Sequence, residues 1–245
     1  MRLVAVPLVI AAVVCGRPSP AGAQDAVERP WSASFTIGWD NPVSGNLIDG
    51  GIGTIAAQAV VVDPRSYRDV FGNGLQWRAG VGYLLTPDDE ALASISYAVS
   101  SGEPLGVGTG GANPLFADFS DHQEFSIEAA YRRYFEARDR WRPYAGAAVG
   151  LAFVDRIQTN FTVPALGVVL TSVDFYDNST ALTFGANGGV LYEVNGSFEV
   201  GGDIGLRWRS GLSENEGLAG TGLERINDNS DRWTLPFGVV ARVRF

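Results

Sequence analysis

The sequence predicts an all-β fold, an eight-stranded antiparallel up-and-down β-barrel. Three observations predict it. Eight segments alternate between apolar and polar side chains with a period of two, the mark of strands with two unlike faces. The connections between them alternate between short and long. The strand charges gather on one face and leave the other apolar around almost the whole set.

The elements follow in order. Strands are expected near Trp31–Asp40, Leu75–Thr86, Ala91–Ser100, Gln123–Glu136, Arg142–Val154, Ala181–Val194, Ser197–Arg209 and Arg232–Phe245. Each reaches roughly ten residues, the length a tilted membrane-crossing strand needs. Short turns are read at Pro87–Glu90, Ala137–Trp141 and Asn195–Gly196, the last an Asn-Gly hairpin signal. Long polar loops fill 41–74, 101–122, 155–180 and 210–231. Short turns on one side and long loops on the other is the habit of membrane barrels.

The first residues read MRLVAVPLVIAAVVCGRPSPAGAQ, with Arg2, an apolar stretch and the small-residue site Ala21-Gly22-Ala23. Residues 1–23 are therefore expected to be a secretory signal peptide, and 24–245 the barrel with four long extracellular loops. Cys15 falls inside the signal, and Val14 stands where a lipoprotein signal wants a small residue. The mature chain then has no cysteine, which excludes disulfides and thiol catalysis. Every basic residue is Arg, and the net charge of −9 becomes −11 without Arg2 and Arg17. Such a surface repels nucleic acid.

Alternation alone does not say which face points inward, because a soluble lipocalin-like barrel would bury the apolar face. The apolar face here runs from Trp31, Phe35 and Ile37 through Trp77, Val81, Ile95, Ile127, Val149, Leu182 and Phe184 to Ile204 and Leu206, with Arg133 its one charge. The opposite face is rich in Gly, Ser and charge. Trp39, Trp77, Trp208 and Trp233 fall at the long-loop ends of their strands, and Trp31 and Trp141 at the short-turn ends. Two aromatic girdles at strand ends fit a membrane with two interfaces. The apolar face is thus expected to meet lipid in a bacterial outer membrane.

The C-terminal "VARVRF" and the internal "RPYAGAAVGLAFV" carry a resemblance. The mature chain resembles the small outer-membrane β-barrel superfamily that includes the OmpA transmembrane domain and the opacity and Ail-type proteins. The resemblance implies that Phe245 is the signal read by the barrel-assembly machinery. It also implies outer-membrane lipids and lipopolysaccharide as surroundings. The chain stops at Phe245 without a peptidoglycan-binding domain, so tethering to the cell wall is not expected.

An eight-stranded barrel is only wide enough for its own side chains. An interior charge network is expected among Arg78, Glu128, Arg132, Glu199, Asp203, Arg207 and Arg242, with Glu199 and Arg242 at similar height on neighbouring strands. The same residues could instead line a narrow channel for small or apolar solutes. His122, in "FSDHQEF" beside Ser120 and Asp121, raises the thought of lipid A acyl chemistry, but adjacent residues of an extended segment diverge and a solvated loop His is expected. No HExxH or GxSxG motif is present. No cofactor, metal or catalytic centre is expected.

The loops carry −1 (41–74), −3 (101–122), −2 (159–180) and −4 (212–231), most of the charge of the mature chain. They are read as a soluble, self-repelling surface, with "NDNSD" (Asn227–Asp231) the densest place for a divalent cation. The stretches "IDGGIGTIAAQAVVVD" and "FTVPALGVVLTSVDFYD" alternate on their own and are expected as hairpins above the membrane, with edges an extracellular protein partner could join. The expected role is structural or adhesive.

Overall fold

The computed structural model describes residues 29–136, 139–228 and 230–245. The expected signal peptide, with Cys15, lies outside them. The chain enters with β1 (Trp31–Ser44) and then makes its first long connection, which holds β2 (Asn46–Ile48), β3 (Gly51–Ile55), β4 (Gln58–Val62), β5 (Arg65–Ser66) and helix α1 (Tyr67–Phe71). β6 (Gly74–Leu84) and β7 (Asp89–Ser100) form a hairpin. The second connection holds β8 (Leu105–Gly110) and β9 (Asn113–Phe119). Next come β10 (His122–Tyr134) and β11 (Trp141–Val154), then β12 (Ile157–Val163) and β13 (Val168–Tyr176) in the third connection. β14 (Ser179–Asn195) and β15 (Phe198–Arg209) precede a fourth connection with a 3-10 turn at Glu216–Leu218, and β16 (Arg232–Arg244) ends the chain.

Eight of these strands close a barrel in the order β1-β16-β15-β14-β11-β10-β7-β6, and β6 returns to β1. Every neighbour is antiparallel. The seam joins the two ends of the chain: Ile37 stands opposite Val239 on one side and Trp77 on the other. Phe35, Ile37, Val149, Leu182 and Val239 point outward and are exposed, as the alternation requires. Inward positions are small wherever a large polar side chain crosses the bore. A Cβ on Gly82 would lie 2.5 Å from Glu90 Oε1, and one on Gly189 would lie 2.5 Å from Tyr144 Oη. Glycine here makes room rather than turns.

The long connections fold together. Their strands form a six-stranded sheet, β13-β12-β9-β8-β4-β3, and β2 pairs with β5. One face of the sheet covers a continuous apolar core that includes Leu47, Ile55, Val60, Val107, Leu115, Phe119, Phe161, Phe175, Leu212 and Leu223. Four connections contribute to it, so the long-loop end is a packed cap and not a set of separate solvated loops. The acidic residues are on its surface. A second, small apolar cluster of Leu84, Tyr134, Tyr144, Leu191 and Val240 sits at the opposite end of the bore.

Local chemistry fixes the cap's joints. Helix α1 starts at a capping box in which the Ser66 hydroxyl accepts from Asp69 N (3.2 Å) while Asp69 Oδ2 accepts from Ser66 N (3.0 Å). The Ser66 hydroxyl also donates to Asp69 Oδ2 (2.7 Å), and this bond, followed by the one from Ser66 N–H, holds the Asp69 carboxyl below its ordinary value. β13 carries a bulge where Ser172 adopts φ 56° and its N–H donates to Asn160 Oδ1 (2.8 Å).

Candidate functional site

Polar side chains fill the bore in three layers. At the short-turn end, Arg242 is fully buried and reaches two carboxylates, Glu90 Oε1 and Glu199 Oε2, at 2.6 Å each. Glu90 also accepts from Tyr134 Oη (2.6 Å), and the Arg132 guanidinium, 3.5 Å from Glu90, lies 4.3 Å from the Tyr144 ring centroid. Glu199 stands directly across from Arg242 in the β15–β16 register, which places the pair at one height.

At the waist two ion pairs lie side by side. Arg207 grips Glu128 with Nε (3.0 Å) and Nη2 (3.4 Å), a two-pronged contact. Arg78 Nη1 is 3.4 Å from Asp203, whose other oxygen accepts from Tyr144 Oη (2.7 Å) and Asn187 Nδ2 (3.0 Å). Two cavities beside Arg78 hold about 10 and 30 Å³, space for a water or two.

The upper layer lies under the cap. Glu124 takes Arg209 Nε (2.6 Å) and Arg232 Nη2 (2.5 Å), and Arg209 also reaches Asp40 (3.0 Å). Arg232 lies 4.7 Å from the ring of Tyr67, so helix α1 stoppers this layer. Burial pushes the Tyr67 phenol up, with Arg232 opposing it. Burial likewise raises Tyr176, whose hydroxyl donates to Leu47 O (2.9 Å).

The structure therefore brings Arg132, Glu199 and Arg242 into the lowest layer and Arg78, Glu128, Asp203 and Arg207 into the waist. Five members of these layers lie outside the expected set: Asp40, Glu90, Glu124, Arg209 and Arg232. Glu90, expected in the Pro87–Glu90 turn, lies in β7 and is fully buried, and Asp89 beside it faces outward to pair with Arg133 (2.9 Å). Glu124 and Arg232 join Asp40 and Arg209 in the top layer. Their signal was present: His122, Glu124, Ser126, Glu128 and Arg132 share one parity in β10, and all are buried.

His122 corrects the expectation of a solvated loop residue. It is buried as the first residue of β10, with Nε2 3.0 Å from Arg232 Nη2 and its ring 5.4 Å from that of Phe71. An arginine can only donate, so Nε2 is the acceptor and the ring is neutral. Ser120 turns away, its hydroxyl accepting from Gln158 N (3.0 Å), and Asp121 is exposed. The three do not converge. The described residues of "NDNSD" likewise do not converge. Asn227 is buried and donates to Phe175 O (2.7 Å), Ser230 accepts from Leu212 N, and Asp228 pairs with Arg225 (2.9 Å). Among the described residues no three His, Asp or Glu side chains gather as metal ligands.

The tryptophans stand on the outside of the barrel. Trp39 meets Phe237 (5.6 Å between centroids), Trp77 meets Phe35 (6.5 Å), and Trp208 and Trp233 flank Phe184 (4.9 and 6.0 Å). Phe245 is exposed beside the seam, exchanging backbone hydrogen bonds with Trp31.

A closed barrel with lipid-compatible walls and a charged bore is the architecture of a bacterial outer-membrane protein. No family model matches the chain, and no curated protein does. Among solved structures it is similar to Neisserial surface protein A (15% identical, TM-score 0.44), with 88% of this chain and 97% of that one covered. It is similar also to outer membrane protein OprG of Pseudomonas aeruginosa (10%, TM-score 0.44, covering 89% and 98%) and to outer membrane protein AlkL (14%, TM-score 0.42, covering 94% and 96%).

Proposed function

We propose that this outer-membrane barrel is a sealed anchor that presents its folded β-cap at the cell surface for contact with other proteins. One observation carries the reading: the bore is filled by matched charges. Arg78, Arg132, Arg207, Arg209, Arg232 and Arg242 face Asp40, Glu90, Glu124, Glu128, Glu199 and Asp203, and all but Arg78 are buried. Buried charges persist when paired, and such packing leaves no need for a water column. The cap adds an apolar lid over the upper layer.

The contact role is supported by the edges of the cap sheet. The β3 edge is covered by the fourth connection, through Thr54 N to Thr221 O (2.7 Å) and Asp49 N to Ile226 O (2.6 Å). The lower half of β13 is covered by Tyr176–Glu214 and by Asp177 N to Ser213 O (2.9 Å). Among the described residues nothing pairs with the outer side of Val168–Thr171, and the stretch from Phe161 to Val173 has no charge. An open, uncharged edge can accept a partner strand. In this reading the long connections face outward from the cell, Phe245 serves assembly, and no reaction is catalysed.

Planar-bilayer recording tests the seal. The folded protein is expected to give no steady openings. Openings that vanish in Glu128→Gln or Asp203→Asn would instead make the waist an ion path and overturn the reading.

A further inference from the structure

The barrel wall is dented near its short-turn end. The dent has a volume of about 520 Å³ and is lined by Trp141, Val190, Tyr192, Val200, Gly202 and Val239. It arises from one row of small outward side chains, because Pro143, Val190, Gly202 and Val239 stand side by side across β11, β14, β15 and β16. Gly202 forms its floor. A Cβ there would meet no heavy atom nearer than Gly238 O at 4.0 Å, so this glycine relieves no contact and simply leaves space.

The rim of the dent is chemically two-sided. Trp141 and Tyr192 pack together, ring centroids 4.9 Å apart, and form its lip. Amphipathic rings of this kind settle at the headgroup level of a bilayer. Beside the lip is Arg140, whose carbonyl accepts from Glu193 N (2.9 Å) and whose exposed guanidinium pairs with no carboxylate among the described residues. Exposed Arg29 lies at the adjoining β14–β15 turn, bonded to Gly196 O (2.9 Å) and Ser197 Oγ (2.6 Å).

We propose that the dent is a binding site for one glycerophospholipid, an acyl chain lying over Gly202 and the phosphate at Arg140. Its volume falls in the range of small-molecule sites, roughly 300–1,000 Å³. It opens onto hydrocarbon, so hydrocarbon must fill it. A neighbouring barrel would offer a convex wall to a concave surface, whereas a flexible chain follows the dent. An arginine beside it suits a phosphate oxygen. The assignment to the periplasmic leaflet, and so to a phospholipid, rests on the orientation in the proposed function.

The test is to purify the folded protein in mild detergent and identify retained lipid by native mass spectrometry. Wild type is expected to carry a glycerophospholipid, and Gly202→Leu to lose it by about fivefold or more, a ratio worth about 1 kcal/mol. Val239→Trp, which fills the dent from the next strand, should do the same if Gly202→Leu fails to fold. Arg140→Glu should cut retention of anionic more than zwitterionic lipid. Equal retention in the filled variants overturns the site, as does a barrel dimer that Gly202→Leu dissolves. Retained lipid A in place of phospholipid overturns the orientation, while absence of any lipid overturns the dent alone.

Discussion

The barrel and its cap are opposite solutions built from continuous lengths of one chain. In the barrel Phe153 faces out and Glu124 faces in. In the cap, a few residues beyond each along its strand, Ile157 and Phe119 are buried, and Asp155 and Asp118 are exposed. The inversion happens at short breaks: Ser120–Asp121 between β9 and β10, Asp155–Arg156 between β11 and β12, and Asp177–Asn178 between β13 and β14. Backbone pairing is satisfied the same way on both sides of each break. Only the solvent differs, hydrocarbon below and water above, and the solvent decides which face is core.

The sharpest way to break the barrel half is to unpair its charges. Arg242→Met takes from buried Glu90 and Glu199 the arginine that holds both at 2.6 Å, leaving only Arg132 and Arg244 at 3.5 Å. The loss is expected at or below the value typical of a broken buried pair, about 3–5 kcal/mol. The heat-dependent gel-mobility shift should then be lost at a correspondingly lower urea concentration. Adding Glu90→Gln and Glu199→Gln should restore much of the loss. If the single variant is as stable as the parent, the layer is not a paired network.

One substitution made in both halves sharpens the contrast. Val149 is 59% exposed on the barrel wall and Val61 is 44% exposed on the cap. Val149→Arg should cost about 2–4 kcal/mol in lipid. Val61→Arg should stay within about 0.5 kcal/mol. Equal costs in urea titrations of protein in vesicles would mean that both faces meet the same medium.

The smallest effect concerns the cap joint. Ser66→Ala should lower cap stability by about 1 kcal/mol, read as faster amide exchange over Tyr67–Phe71 with the barrel strands unchanged. Asp69 titrates lower when folded than its ordinary 3.8, so its contribution is complete above that value. It is lost as the pH falls through the lower folded value. Asp69→Asn should abolish this acid dependence.

Much of this was legible in period two. The barrel strands, the outward Trp39, Trp77, Trp208 and Trp233, and the common height of Glu199 and Arg242 follow from parity and strand direction. The cap core does not. Alternation in "GTIAAQAVVV" reveals a hairpin but not which side will be dry, because that depends on four connections meeting. Glu90 was hidden by its neighbours Asp88 and Asp89, which look like a polar turn. His122 was hidden by a loop-like sequence, although its parity with Glu124 and Glu128 pointed into the bore.

The core of the cap has a consequence in time. Leu47 and Val60 come from the first connection, Leu115 from the second, Phe161 from the third and Leu223 from the fourth. No three of these segments can close that core without the last. If the long connections face outward as proposed, the cap can latch only after β15 and β16 have brought the fourth segment beside the other three. A chain stalled before its final strand would leave three apolar hairpins exposed, and so would be marked as unfinished by the surface it shows.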